Sequence, residues 1–362
     1  MKRIVHLGVG AFHRAHQALY TEDAGGWEIT GVAQHSRATI DALRAQGHRY
    51  AVLERWPDKD RPRVVEVITD TVHAPSEGDR LTDLIASPDT HVVTLTVTEA
   101  AYVAGSGPVE QLARGLEARD GPPLAVVSCD NVPRNGDVLR ELLAARCDTA
   151  GADFPSTMVD RIVPAATEAD ARIAEGLTGL GGAPVVGEPF SQWVIEDTFR
   201  GERPRWEEAG ALLVADTGPY ELMKLRLLNA AHSALAHLGL EAGHETVAEA
   251  VADPALRSFV VRLLAEELEP TVGDVPGIDL AEYQRQLFER WANPRIAHRL
   301  AQIATGAEQK LALRLVPPAR ELLAAGKDPQ RIAAVIAAWG RAGGMSPREA
   351  VAALGGPPEL AR

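Results

Sequence analysis

Short apolar runs alternate with amphipathic stretches along the first half of the chain: IVHLGVG, a helical stretch from about Ala15, WEITGVA, the helical RATIDALRAQ, and RVVEVITD. That alternation predicts βαβ units and a mostly parallel sheet, because parallel strands need a crossover connection, usually a helix. HVVTLTVTE and PLAVVSCDN are apolar and β-branched without polar alternation, as interior strands covered on both faces are. Each ends in polar residues, and the strand ends of such sheets are where ligands bind. From about Pro219 the period becomes helical, through ELMKLRLLNAAHSALAHLG, ADPALRSFVVRLLAEEL, LAEYQRQLFERW and PQRIAAVIAAWGRAG. The pattern predicts an α/β first domain over residues 1–218 and an all-α second domain over 219–362, with Gly218-Pro219 as the helix-start signal.

Composition narrows the possibilities. With 362 residues, 46% apolar and 24% charged, the chain can bury two cores and has no reason to be disordered. A net charge of −13 repels phosphate backbones, so nucleic acid is not an expected partner. Charges or glycines interrupt every apolar run before the roughly 20 residues that span a bilayer. The two cysteines, Cys129 and Cys147, lack the CxxC spacing of a zinc or redox site. With no targeting segment visible, the expectation is a soluble cytoplasmic protein.

The string from His6 to His13 (HLGVGAFH) follows a strand pattern and precedes a helix, which is the setting of a dinucleotide fingerprint. Gly8 would allow the tight turn and Gly10 the close approach of a pyrophosphate, while His13 stands where the third glycine of GxGxxG would be. After WEITGVA come Gln34, His35, Ser36 and Arg37, with no acid before Asp41. A missing ribose-binding acid beside an arginine is how a 2′-phosphate is accommodated, so these residues lean toward NADP. His13 and His16 are a close pair, but Arg14 between them disfavours a metal, and none is expected.

In the second half, Glu221, Lys224, Asn229 and His232 fall within an arc of roughly 140° at about 100° per helical residue. A largely apolar helix with four polar groups on one side needs partners or a cleft to face. Hydride transfer from a carbinol needs a base for the hydroxyl proton and donors for the developing alkoxide. Lys224 suits the first role, Asn229 the second, and His232 the orientation of substrate. Asn131, in the SCDN string at a strand end, is a further amide donor, and Asp160 sits beside Arg161 in MVDR.

Taken in order, GVGAFHRAHQ, LTVTEAAY, SCDNVPRNG, MVDRIVPAAT, EPFSQWVIED, PYELMKLRLLNAAHSALAHLG and VPGIDLAEY resemble the mannitol dehydrogenase family nearly end to end. This polyol-specific long-chain family includes mannitol 2-dehydrogenase and fructuronate reductase. The resemblance implies a Rossmann-type N-terminal domain, a helical C-terminal domain, catalysis between them without zinc, and NAD as cofactor, with NADP left open by Ser36 and Arg37. It further implies Lys224 as general base, Asn131 and Asn229 as an oxyanion clamp, Glu221 on a proton path and His232 on substrate. Gly8, Gly10, Phe12, Thr98, Glu99 and Asp160 are expected around the dinucleotide. The chain departs from the family in a shortened stretch after Tyr102. It departs again in Ala312 and Leu313, which stand in the QKLPQR stretch of the fructuronate reductase branch.

The substrate expected is a small sugar alcohol or aldonate and its 2-keto partner, either fructuronate/mannonate or fructose/mannitol. Arg299, Lys310 and Arg314 favour the acid slightly, because a carboxylate needs fixed cations. A β-hydroxyacid-type dehydrogenase also sets a Lys and an Asn on a helix but lacks the SCDN and MVDR strings. A catalytically silent dinucleotide sensor would be expected to lose Lys224 or Asn229, and both are present.

Overall fold

A computed structural model describes residues 2–361. Contacts divide the chain into two compact units, Met1–Gly218 and Pro219–Arg362. The first carries β1 (Lys2–Leu7), β2 (Trp27–Ala33), β3 (Tyr50–Arg55), β4 (Asp60–Val65), β5 (Ile68–His73), β6 (Thr90–Leu95), β7 (Leu124–Ser128), β8 (Ala152–Asp153), β9 (Thr157–Asp160), β10 (Val185–Gly187), β11 (Gln192–Glu196) and β12 (Leu212–Val214). Six of these form one sheet in the order β5-β2-β1-β6-β7-β8, and every pairing in it is parallel.

Side chains alternate across that sheet as the two-residue period requires. Ile4, Ile29, Ala125 and Val127 enter one core with Tyr50, Trp193 and Trp206. Val5, Leu7, Val32, Val93, Leu124 and Val126 enter the other, with Leu112 and Leu139 from the covering helices. Because both faces are covered, the central strands read as continuous apolar runs. The chain winds away from β1 in opposite directions through β2 and β6, so the switch point lies between β1 and β6, where open α/β sheets take ligands.

Two local features differ from the pattern. RVVEVITD is not one strand: Val64 and Val65 end β4, which pairs antiparallel with β3, and Ile68 begins β5 in the main sheet. The β3–β4 hairpin has no tight two-residue turn to announce it. The first helix starts at Ala11 rather than near Ala15, breaks at His16 (φ −133°, ψ −89°) and resumes over Gln17–Ala24. The MVD segment of MVDR is a strand end, as its pattern suggests, and the sheet it joins is a small separate one, β9 pairing antiparallel with β11.

The second unit is helical. The stretch from Gly218 to Glu241 is α-helical to Met223, a π-helix over Lys224–Asn229, and α-helical again from Ala230. Arg226 pins the π turn: it is buried, pairs with Glu321 at 2.8 Å, and donates to the Thr271 carbonyl. A second π segment, Leu264–Leu268, ends the helix that Asp253 caps. Among the described residues no helix is long and apolar enough to cross a membrane.

Candidate active site

At the end of β1 the chain turns at Gly8, with φ 99°, a conformation L side chains rarely adopt. A Cβ there would stand 2.1 Å from the Thr96 carbonyl oxygen. The protein itself therefore demands glycine where the ends of β1 and β6 meet. Gly10 differs, since its backbone is extended (φ −78°, ψ −173°) and a Cβ would meet only the Gly8 carbonyl oxygen at 3.8 Å. Among the described residues nothing crowds a side chain at that position. The open, exposed backbone there fits the close approach of a dinucleotide's pyrophosphate.

His13, in place of the third glycine, stacks on His6 with ring centroids 3.3 Å apart, so an aromatic contact joins helix to strand. His6 reaches Thr94 Oγ1 at 2.7 Å and Thr96 Oγ1 at 2.8 Å. Burial pushes its pKa down to about 3 and that of His13 well below the usual histidine range. His16 donates to the Gln192 carbonyl at 2.9 Å, accepts from Gln17 at 3.0 Å and stacks against Phe12. Both members of the His13/His16 pair thus serve packing, and among the described residues no group of three His, Cys, Asp or Glu is arranged to hold a metal ion.

Past β2, Gln34 pairs with Gln111 through two amide hydrogen bonds of 3.0 and 3.1 Å. His35, Ser36 and Arg37 are exposed. Ser36 Oγ accepts the Ala38 N–H at 3.2 Å, and Arg37 lies 3.7 Å from Asp41.

The ends of β6 and β7 are tied together. Asp130 accepts the backbone N–H groups of Val97 (3.0 Å) and Thr98 (2.9 Å) and the Tyr102 hydroxyl (2.9 Å). Thr98 and Glu99 are exposed. Burial raises the Asp130 pKa, and burial followed by the Asp130 charge raises that of Tyr102. Asn131 follows, exposed. Asn135 is fully buried and fixes this turn by donating to the Asp130 and Thr157 carbonyls at 3.0 and 2.9 Å. Asp160 is buried at the end of β9, where its neighbour Arg161 is engaged by Glu54 at 3.0 Å and by the carbonyls of Ala15 and Glu188.

In the second unit the π turn changes the predicted helix face. In an α-helix residues five apart diverge by about 140°. A π turn, bonded i to i+5, brings such residues closer to one line, here Lys224 and Asn229, and single π turns cluster at functional sites. Lys224 is buried, Asn229 and Glu221 half-buried. The buried His232 ring lies 5.3 Å from Trp291 and 5.4 Å from His298, and its Nε2 has no hydrogen-bond partner. Its pKa falls well below the usual range through burial first, then through His298, Arg290, Arg314 and Lys224. Arg314 donates to Ser233 Oγ at 3.0 Å and the Asn229 carbonyl at 3.3 Å.

The structure thus gathers Lys224, Asn229, His232 and Arg314, and adds Arg290 and His298, which the pattern did not single out. Lys310 instead donates to the carbonyls of Ile303 (3.1 Å) and Thr305 (2.6 Å) and acts on His237, which burial lowers to about 4. Arg299 is exposed in a bridge with Thr246.

A parallel sheet with a glycine turn at its switch point, joined in sequence to a helical unit with lysine, amide and histidine around a π turn, defines a Rossmann-type oxidoreductase. The chain belongs to the mannitol dehydrogenase family: residues 2–208 match the mannitol dehydrogenase Rossmann domain and 216–344 the mannitol dehydrogenase C-terminal domain. It is 38% identical to D-mannonate oxidoreductase of Escherichia coli, over 94% of this chain and 79% of that one. Mannitol 2-dehydrogenase of Pyrenophora tritici-repentis is 35% identical, over 93% of this chain and 68% of that one. The Pseudomonas fluorescens mannitol 2-dehydrogenase, solved as a ternary complex with NAD and D-mannitol, superposes with a TM-score of 0.83 at 34% identity, covering 94% of this chain and 78% of that one.

Proposed function

We propose that this enzyme interconverts a sugar acid bearing a secondary alcohol and the corresponding keto sugar acid, of the mannonate/fructuronate kind, with NAD as cofactor. The observation that carries the acid over the neutral polyol is Arg314, whose guanidinium lies against the π-turn helix, donating to Ser233 Oγ at 3.0 Å and to the Asn229 carbonyl at 3.3 Å; after burial and His298, its charge also lowers the pKa of His232. A guanidinium beside the π turn suits a carboxylate, which it can hold by charge-assisted hydrogen bonds. The likeness to D-mannonate oxidoreductase agrees with it.

When bound, the nicotinamide supplies the hydride acceptor for oxidation and the donor for reduction. Lys224 Nζ takes the hydroxyl proton during oxidation and returns it during reduction. Asn229 and Asn131 donate amide N–H groups to the substrate oxygen, whose charge grows in the transition state. His232, kept neutral by its surroundings, orients the substrate, and Glu221 passes the proton on. Gly8, Gly10, Phe12, Thr98, Glu99 and Asp160 face the dinucleotide, and Ser36 and Arg37 its ribose. The free thiols Cys129 and Cys147 suit a reducing compartment, and we place the enzyme in the cytoplasm.

The test is kcat/KM for fructuronate against fructose, and for mannonate against mannitol. One charge-assisted bond of about 1.5–3 kcal/mol gives the acids an advantage of roughly 10- to 100-fold, which Arg314→Ala should reduce. Equal or greater kcat/KM on the neutral pair would overturn the acid reading in favour of mannitol and fructose.

A further inference from the structure

The turn after β6 holds a backbone conformation that its sequence does not favour. Thr98 has φ 74° and ψ 155°, a region occupied almost only by glycine, and threonine is β-branched. Such a residue persists where its surroundings over-determine it. Here one carboxylate does so, with Asp130 Oδ1 accepting the Thr98 N–H at 2.9 Å and Oδ2 the Val97 N–H at 3.0 Å. Oδ2 also accepts the Tyr102 hydroxyl at 2.9 Å, so both ends of the turn are tied to one side chain. Tyr102 in turn meets Ser128. Within the turn, Ala101 N–H donates to the Thr98 carbonyl at 3.0 Å and Tyr102 N–H to the Glu99 carbonyl at 3.1 Å.

Asp130 is itself held. Its carbonyl accepts from Asn135 at 3.0 Å, and Asn135 is locked to Thr157 on β9 by donating to its carbonyl (2.9 Å) and accepting its N–H (2.9 Å). The clamp therefore rests on two buried residues, Asn135 and Thr157, while the residues it presents, Thr98 and Glu99, are exposed. They lie just past Thr96, whose carbonyl oxygen touches the Gly8 turn.

We propose that Asp130 is a positioning residue: its carboxylate holds the turn 97–102 in a glycine-like conformation and so fixes Thr98 and Glu99 where the dinucleotide is received. This rests on the reading that the dinucleotide occupies the Gly8–Gly10 end of the sheet. Removing the clamp lets Thr98 relax to negative φ and moves both residues. Placing glycine at 98 lets the turn keep its shape without the clamp, because glycine adopts this conformation freely.

The experiment compares wild type, Asp130→Asn, Thr98→Gly and the double variant, by NADH titration followed through protein fluorescence and by amide hydrogen exchange without cofactor. Asp130→Asn replaces an acceptor oxygen by an NH2 group that cannot accept from Val97 or Thr98. It should raise the NADH dissociation constant by about 10-fold or more and speed exchange in residues 96–102 by a similar factor, with exchange in the sheet strands unchanged. In the Thr98→Gly background, where the threonine side chain is absent from both proteins compared, Asp130→Asn should cost at least about 3-fold less affinity than it does in wild type. The proposal is overturned if Asp130→Asn keeps affinity and exchange within about 2-fold of wild type, or if it costs as much affinity in the Thr98→Gly background as in wild type. Exchange is read without cofactor, so the clamp is judged even if wild type binds no dinucleotide. That outcome would overturn the proposed function and the receiving role together.

Discussion

Gly8 and Gly10 look alike in sequence, and the structure predicts that replacing them has opposite consequences. Gly8→Ala puts a methyl group 2.1 Å from the Thr96 carbonyl oxygen at a φ of 99°. The obstacle is backbone, so no rotamer relieves it. The left-handed conformation alone costs about 1–2 kcal/mol, and parting β1 from β6 threatens the Thr96 N–H bond to the Leu7 carbonyl, about 1 kcal/mol more. Overpacking adds about 1–3 kcal/mol, for a total of roughly 3–6 kcal/mol. At about 2–4 °C per kcal/mol in a unit of this size, Tm should fall by roughly 10 °C. Gly10→Ala meets only ordinary contact at 3.8 Å in an extended backbone, so stability should stay within about 0.5 kcal/mol. Its effect is on the ligand, since a methyl group where the pyrophosphate should approach ought to weaken NADH binding by about 10-fold, and Gly10→Asp should abolish it. The assay is a thermal melt with a fluorescence titration on the same preparations. Wild-type NADH affinity in folded Gly10→Asp would refute placement of the dinucleotide on this turn, and a wild-type Tm for Gly8→Ala would refute the packing argument.

Two further outcomes follow from the site and the buried histidines. Lys224→Ala should cut kcat for alcohol oxidation by at least ~10²-fold with dinucleotide affinity nearly unchanged, and should abolish the rise of oxidation with pH; Asn229→Ala should lower the rate and keep the profile. A Lys224→Ala enzyme with wild-type kcat and pH profile would move the base elsewhere. Stability should fall with acid: His6 and His237, held at about 3 and about 4 against an ordinary 6.5, stay neutral in the fold while the unfolded chain takes up protons. Unfolded chain binding more protons means stability rises with pH, so each histidine's contribution is full above about pH 6.5 and should shrink by ~2 kcal/mol at about pH 5. A Tm equal or higher at pH 5 than at pH 7 would contradict it.

The parallel sheet was readable because both its faces are covered, which leaves runs such as IVHL and LAVV without polar interruption. The β3–β4 hairpin escaped because RVVEVITD is continuous in composition while the backbone crosses from one sheet to another within it, with only Glu66 and Val67 between the two strands. Helix periodicity suggested a start near Ala15. The turn instead enters its helix at Ala11, right after Gly10, and His13 finds a stacking partner in His6, a contact no local pattern announces.

The site was legible only as far as its residues lie close in sequence. Lys224, Asn229 and His232 stand on one helix, so spacing alone could group them. Arg290 and His298 reach His232 from other segments, and no spacing rule connects them to it. Lys310 was grouped with Arg314 by its string alone, which could not announce that it donates to the carbonyls of Ile303 and Thr305. The π turn was the least legible feature, since an apolar stretch with polar groups at three- and five-residue steps is read at 3.6 residues per turn by default. An α-helix would leave Asn229 well off the side of Lys224. The wider turn, which Arg226 pins through Glu321 and the Thr271 carbonyl, narrows that divergence, so the local backbone decides whether one helix can offer a base and an amide to the same substrate oxygen.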